Sequence, residues 1–153
     1  MMKKILFVCH GNICRSPMAK YVMRELVANA GLSDEIFVES AAATYEEIGN
    51  PVYPPARKKL EEHGISCEGH HARIIVRKEY GDWDYIIGMD QENMDDMRRI
   101  FGGDPDGKLC MLMTFVGKNR EVSDPWYTGD FESTWQDVLA GCTALLDRIK
   151  SEL

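Results

Sequence analysis

The sequence predicts an α/β fold, a single domain with a four-stranded parallel sheet flanked by helices on both faces. Three observations predict it. Strand-type runs alternate with helix-type runs along the chain, which favours a parallel sheet covered on both sides. The first strand-type run, Lys3-Lys4-Ile5-Leu6-Phe7-Val8, ends in continuous apolar residues, as a strand buried on both faces should. A helix signal follows after a short gap, leaving a loop between a strand end and a helix N-terminus, where free N–H groups and the helix dipole favour an anion.

Taken in order, strand signals fall at residues 4–8, 35–39, 84–89 and 108–116. Ser16 is a good N-cap for the first helix and Pro17 suits its first position, with Met18, Val22, Leu26 and Ala30 recurring every fourth residue on one face. Residues 54–63, closed by Gly64, read as a second helix with a glycine stop. A third begins near Asp90, with acidic residues in its first turn and Arg98 and Arg99 in its last, as its dipole prefers; these charges read as a solvated helix face. Asp104-Pro105-Asp106-Gly107 is a turn. Phe131, Trp135, Val138, Leu139, Cys142, Leu145, Leu146 and Ile149 then give the last helix a continuous apolar stripe. The methionines Met89, Met94, Met97, Met111 and Met113 read as core filler, and no repeat, linker or low-complexity tract interrupts the chain.

The first loop concentrates the chemistry. In VCHGNICRSP, residues 8–17, a cysteine and an arginine bracket a short turn, C-x5-R. Gly11 lets the backbone curl and Asn12 tolerates left-handed geometry. A thiol held in the field of a helix N-terminus and a neighbouring cation is driven toward the nucleophilic thiolate, so Cys9 is the candidate nucleophile. Arg15 presents a planar fork that can hold two phosphate oxygens at once, which a lysine cannot match. The Ser16 hydroxyl has two available roles: it can donate to the Cys9 sulfur and ease its departure as a leaving group, or it can simply cap the helix.

The run Cys9-His10-Gly11-Asn12-Ile13-Cys14-Arg15-Ser16 resembles the signature loop of the low-molecular-weight protein tyrosine phosphatases, including its place at the start of the chain. The segment from Asp84 through Gly88-Met89 to Asp90 resembles that family's central strand and turn, Ser123-Asp124-Pro125-Trp126-Tyr127 its general-acid loop, and Phe131-Glu132 the opening of its C-terminal helix. The resemblance spans essentially the whole chain, residues 1–153, in the family's order. It implies a phosphate-binding loop of His10, Gly11, Asn12, Ile13 and Cys14 between the first strand and first helix. It also implies catalysis by Cys9, Arg15 and Asp124, with Asp124 protonating the leaving phenolate and then activating water. Without that context Asp124-Pro125 would read only as a surface turn. Asn12, Ser16, Ser40 and His70 match family positions that support the loop through hydrogen bonds. The resemblance further suggests that Cys14 forms a reversible, protective disulfide with Cys9, against the alternative that it packs as a small apolar side chain.

Ile13, Trp126 and Tyr127 would wall the pocket with apolar and aromatic surface, which suits phosphotyrosine better than phosphoserine. A similar arginine-phosphatase branch carries threonine where this chain has Ile13, which argues against phosphoarginine. The chain departs from the family at residues 40–44, Ser-Ala-Ala-Ala-Thr, and at Glu46, which would weaken attraction to acidic phosphopeptides.

Alternatives are a thioredoxin-coupled arsenate reductase and a non-catalytic phosphotyrosine-binding module. The first would need two further closely spaced redox cysteines, whereas Cys67, Cys110 and Cys142 are scattered. Retention of Cys9, Arg15 and Asp124 together speaks against the second. In isolation His70-His71 reads either as an exposed polar pair or as two zinc ligands, but C-x4-C without a second cysteine pair is not structural-zinc spacing, so no metal and no cofactor are expected. At 153 residues the chain suits one domain burying roughly 70% of its unfolded surface. A net charge of −7 argues against nucleic acid, and no run has the length of a membrane span. Five cysteines and no signal-like opening point to reduced thiols and a cytoplasmic address. The expected partner is a phosphotyrosine protein substrate, and the oligomeric state is left open.

Overall fold

The computed structural model describes residues 2–153. Four parallel strands, β1 (Lys3–Cys9), β2 (Ile36–Ala42), β3 (Tyr85–Gly88) and β4 (Leu109–Met111), form one sheet in the order β2-β1-β3-β4. The central position of β1 explains its composition. Ile5, Leu6, Phe7 and Val8 are all fully buried because both faces of the strand are covered and both edges are paired. Ile5, Phe7 and Cys9 point to one core and Leu6 and Val8 to the other.

The first core is closed by α1 (Arg15–Asn29), α2 (Pro54–Glu62) and the long α5 (Phe131–Lys150), which buries Trp135, Val138, Cys142, Leu145 and Ile149 of the expected stripe. The second is closed by α3 (Gln91–Phe101), through Met94, Met97 and Phe101, and by Trp83. The chain leaves β1 toward β2 on one side and returns to β3 on the other, so a crevice opens at the carboxyl ends of β1 and β3, where open α/β sheets bind ligands.

Two local expectations are corrected. The strand expected over 108–116 stops at Met111, and Leu112–Val116 forms a 3₁₀ turn ended by Gly117 at φ 73°. Leu112 there enters a notch on α5 at Gly141, where a β-carbon would overlap it; that packing overrides the strand propensity of the segment. The N-cap of α1 is Cys14 rather than Ser16, so Pro17 is the third helical residue instead of the first, and the Ser16 side chain is free for another partner.

Candidate active site

The loop between β1 and α1 is shaped from outside by its carbonyls. The His10 carbonyl accepts from Thr44 N and Oγ1 at 3.1 and 3.0 Å, and the Ile13 carbonyl from Tyr53 N at 2.9 Å. Among the described residues, no N–H group of His10 to Arg15 donates to a protein acceptor, so the amides stay available at the crevice, the arrangement of an anion nest. Asn12 adopts the left-handed conformation, φ 60°, as its residue type allows. Gly11 does not; its small size serves close approach, since a β-carbon there would lie 3.2 Å from Glu47 Cγ.

Cys9 ends β1 with its sulfur 3.0 Å from Ser16 Oγ and 3.4 Å from the Ser16 N–H. Two roles were open to Ser16, and its hydroxyl is turned to the sulfur. Asn12 Nδ2 donates to Ser16 Oγ at 2.8 Å and to Ser40 Oγ at 2.9 Å, which commits the Ser16 proton toward Cys9. His70 Nε2 donates to the Asn12 carbonyl at 2.8 Å. Burial, helped by the Lys20 and His71 charges and opposed by the bond to Asn12, lowers the His70 pKa to about 4, so the ring is neutral. His71 lies apart, exposed, with Nδ1 near the Gly49 carbonyl.

Arg15 is 2% exposed. Its Nη1 donates to Asp90 Oδ2 at 2.7 Å and to the Val122 carbonyl at 3.0 Å, and its Nη2 lies 3.4 Å from Asp124 Oδ2. Burial alone would lower its pKa; Cys9, Asp90 and Asp124 outweigh this and keep the guanidinium charged. Asp90 is fixed in turn as the N-cap of α3: its Oδ1 accepts from Asn93 N at 2.8 Å, while Asn93 Oδ1 accepts from Met89 N at 2.9 Å. Asp124 caps the four-residue α4 (Pro125–Thr128), its Oδ1 accepting from Trp126 N at 3.1 Å, so the turn and the site use the same carboxylate.

One cleft gathers Cys9, His10, Gly11, Ile13, Cys14 and Arg15 with Glu46, Glu47, Asp124, Trp126 and Tyr127. The sequence matches the family described as low molecular weight phosphotyrosine protein phosphatase over residues 4–153. The chain belongs to that family. Membership makes it a protein-tyrosine phosphatase, a hydrolase of phosphoric monoesters.

Similarity to other phosphatases of the family extends over nearly the full chain. The low molecular weight protein-tyrosine-phosphatase YfkJ of Bacillus subtilis is 40% identical, covering 99% of this chain and 98% of its own; its crystal structure superposes with a TM-score of 0.96. The Drosophila melanogaster low molecular weight phosphotyrosine protein phosphatase 1 is 37% identical over 95% of this chain and 96% of its own. A Drosophila arginine phosphatase structure, 28% identical, matches with a TM-score of 0.88 over 96% of this chain and 98% of its own.

The aromatic wall of this phosphatase is braced from behind. Trp126, 53% exposed, packs on Tyr53 with ring centroids 4.8 Å apart, and Tyr53 stacks on Phe131 at 6.2 Å. Opposite, Nε2 of His10 lies 2.8 Å from Glu46, and Nδ1 lies 3.3 Å from Glu92. Burial would lower the His10 pKa, but these carboxylates and Asp96 raise it. Cys14 is buried, and burial together with Cys9 and Asp124 pushes its thiol well up, so it rests protonated.

Three residues around this site escaped the sequence. Asp90, expected on a solvated helix face, is instead the counter-charge to Arg15. Tyr53, in the extended run before α2, carried no local signal. Lys20 sits on α1 with its charge turned inward, 5% exposed, yet it lies two residues from Met18, roughly 200° round the helix from the expected apolar stripe, where a lysine carries no signal.

Proposed function

We propose that the enzyme hydrolyses protein phosphotyrosine in two displacements, with residues 1–153 acting as one catalytic domain. Cys9 attacks phosphorus in line while the loop amides and Arg15 hold the equatorial oxygens. Asp124 gives its proton to the phenolate oxygen as the P–O bond breaks, leaving a phosphocysteine. Water then attacks phosphorus, Asp124 takes its proton, and the Cys9 sulfur leaves as a thiolate held by Ser16. The single observation that supports this best is the convergence, in one cleft, of the Cys9 sulfur on Ser16, the Arg15 fork and the Asp124 carboxylate.

Ile13, Trp126 and Tyr127 favour an aryl phosphate over a short alkyl one. Ile13 also distinguishes this loop from the threonine expected of an arginine phosphatase. Five free thiols fit a reducing, cytoplasmic setting, and no helix among the described residues is long and apolar enough to cross a membrane.

The test is steady-state hydrolysis of a phosphotyrosine peptide beside phosphoserine and phosphoarginine peptides, with chelator present. Phosphotyrosine alone should turn over, at background rate in Cys9→Ser and about 10²–10⁴-fold more slowly in Asp124→Asn. Turnover that survives Cys9→Ser, or that prefers phosphoarginine, would sink the assignment.

A further inference from the structure

Beneath the loop lies a buried cation that the two displacements do not use. Lys20 Nζ is 2.8 Å from His70 Nδ1, 3.6 Å from Glu39 Oε1 and 4.7 Å from the centre of the Tyr21 ring. An ammonium carries donors only, so His70 Nδ1 must be the acceptor in that contact. The single ring proton then belongs on Nε2, where it meets the Asn12 carbonyl at 2.8 Å. The other tautomer would set an N–H against the ammonium and a lone pair against the carbonyl oxygen. A doubly protonated ring would place two cations in hydrogen-bond contact. Of the two neutral tautomers, one lysine therefore selects the one whose N–H can hold the Asn12 peptide.

That peptide matters because Asn12 is in the left-handed region, which a non-glycine residue keeps only when its surroundings impose it. Its side chain carries the order onward, through Nδ2 to Ser16 Oγ and from there to the Cys9 sulfur. We propose that Lys20 is a positioning residue of this phosphatase: by donating to His70 Nδ1 it keeps His70 neutral with its proton on Nε2, and so fixes Asn12 and the Ser16 hydroxyl beneath the nucleophile. Its kinetic consequence rests on the reading of Cys9 as nucleophile; the state of the ring does not.

Among the surrounding charges, Glu39 favours a protonated Lys20. Glu39 on β2 faces it and also accepts from Arg24 at 3.1 Å and from Ser40 N at 3.2 Å. Arg73, beyond His70, is engaged by Glu79 at 3.0 Å. Cys67 accepts from His70 N through its carbonyl at 3.4 Å, His71 follows His70 in the chain, and Tyr21 offers the face of its ring to the ammonium. Burial and the charges of Arg24 and Arg73 lower the Lys20 pKa, and Glu39 opposes them.

The experiment is long-range ¹H–¹⁵N imidazole spectroscopy on wild type, Lys20→Met and Lys20→Arg from about pH 5 to about pH 9, a range that spans the ordinary histidine transition. It is paired with kcat/KM against pH on an aryl phosphate. Wild-type His70 should show one protonated nitrogen, Nε2, throughout. In Lys20→Met the neutral ring should populate the tautomer protonated on Nδ1 and take up its second proton at a higher pH than in wild type, and kcat/KM should fall about tenfold or more with its acid-side inflection moved upward. Lys20→Arg, which keeps a donor, should restore the wild-type spectrum and most of the rate. A wild-type ring that is doubly protonated at neutral pH, or protonated on Nδ1, overturns the proposal by itself, even if Lys20→Met does not fold. So does a Lys20→Met protein with unchanged ring state and pH profile. Because the spectra report the ring and not turnover, they decide the matter independently of the role of Cys9.

Discussion

Replacing Ser16 by alanine separates the leaving-group role from the capping role that its residue type suggested in the sequence. The hydroxyl lies 3.0 Å from the Cys9 sulfur and is fully buried, and Asn12 already occupies its acceptor side at 2.8 Å. A hydrogen bond to a charged partner contributes about 1.5–3 kcal/mol. If that bond forms fully as the thiolate leaves phosphorus, its loss slows hydrolysis of the phosphocysteine by about 10- to 150-fold. Attack on the first phosphate is affected less, because there the thiolate is being consumed. Rapid mixing of Ser16→Ala with an aryl phosphate should therefore give a burst of phenol approaching the enzyme concentration, followed by slow turnover. A helix cap predicts something else: about 0.5–2 kcal/mol lost from stability, with kcat unchanged. Wild-type steady-state turnover with no burst would refute the leaving-group argument.

Acidification tests the neutral His70. Its folded pKa is depressed to about 4 against about 6.5 for an exposed ring, so between those values the unfolded chain binds the extra proton and stability falls as pH falls, by about 3 kcal/mol in total. Urea unfolding should show that loss in wild type but not in His70→Gln, whose amide can make both hydrogen bonds without titrating; parallel curves for the two proteins would contradict it. For Cys14, wild type should recover activity when dithiothreitol follows peroxide, whereas Cys14→Ser should stay inactivated through over-oxidation of Cys9. Equal recovery of both would remove the protective role.

The elements were legible where the signal was local. The unbroken apolar run of β1 announced a strand covered on two sides, and the period of α5 announced its buried stripe. The C-x5-R spacing placed a thiol and a guanidinium around one anion-binding turn. What failed was also physical. The segment 112–116 reads as strand by composition, but Leu112 is drawn into the notch at Gly141 on a helix that comes later in the chain. Ser16 has the side chain of an N-cap, but α1 starts two residues earlier than that cap would place it, and the Cys9 sulfur is the partner left within reach.

By itself, then, the amino-acid sequence determined the strand–loop–helix unit, its anion-binding backbone and the residue types that can attack and hold a phosphoryl group, because periodicity, turn chemistry and helix dipoles act between near neighbours. The tertiary structure alone decided which charges meet. Arg15 finds Asp90 and Asp124 across 75 and 109 residues, and Lys20 finds His70 across 50. Those partners are chosen by the strand order β2-β1-β3-β4, which brings the carboxyl ends of β1 and β3 side by side. Burial then obliges each charge to pair with whatever that order has placed beside it.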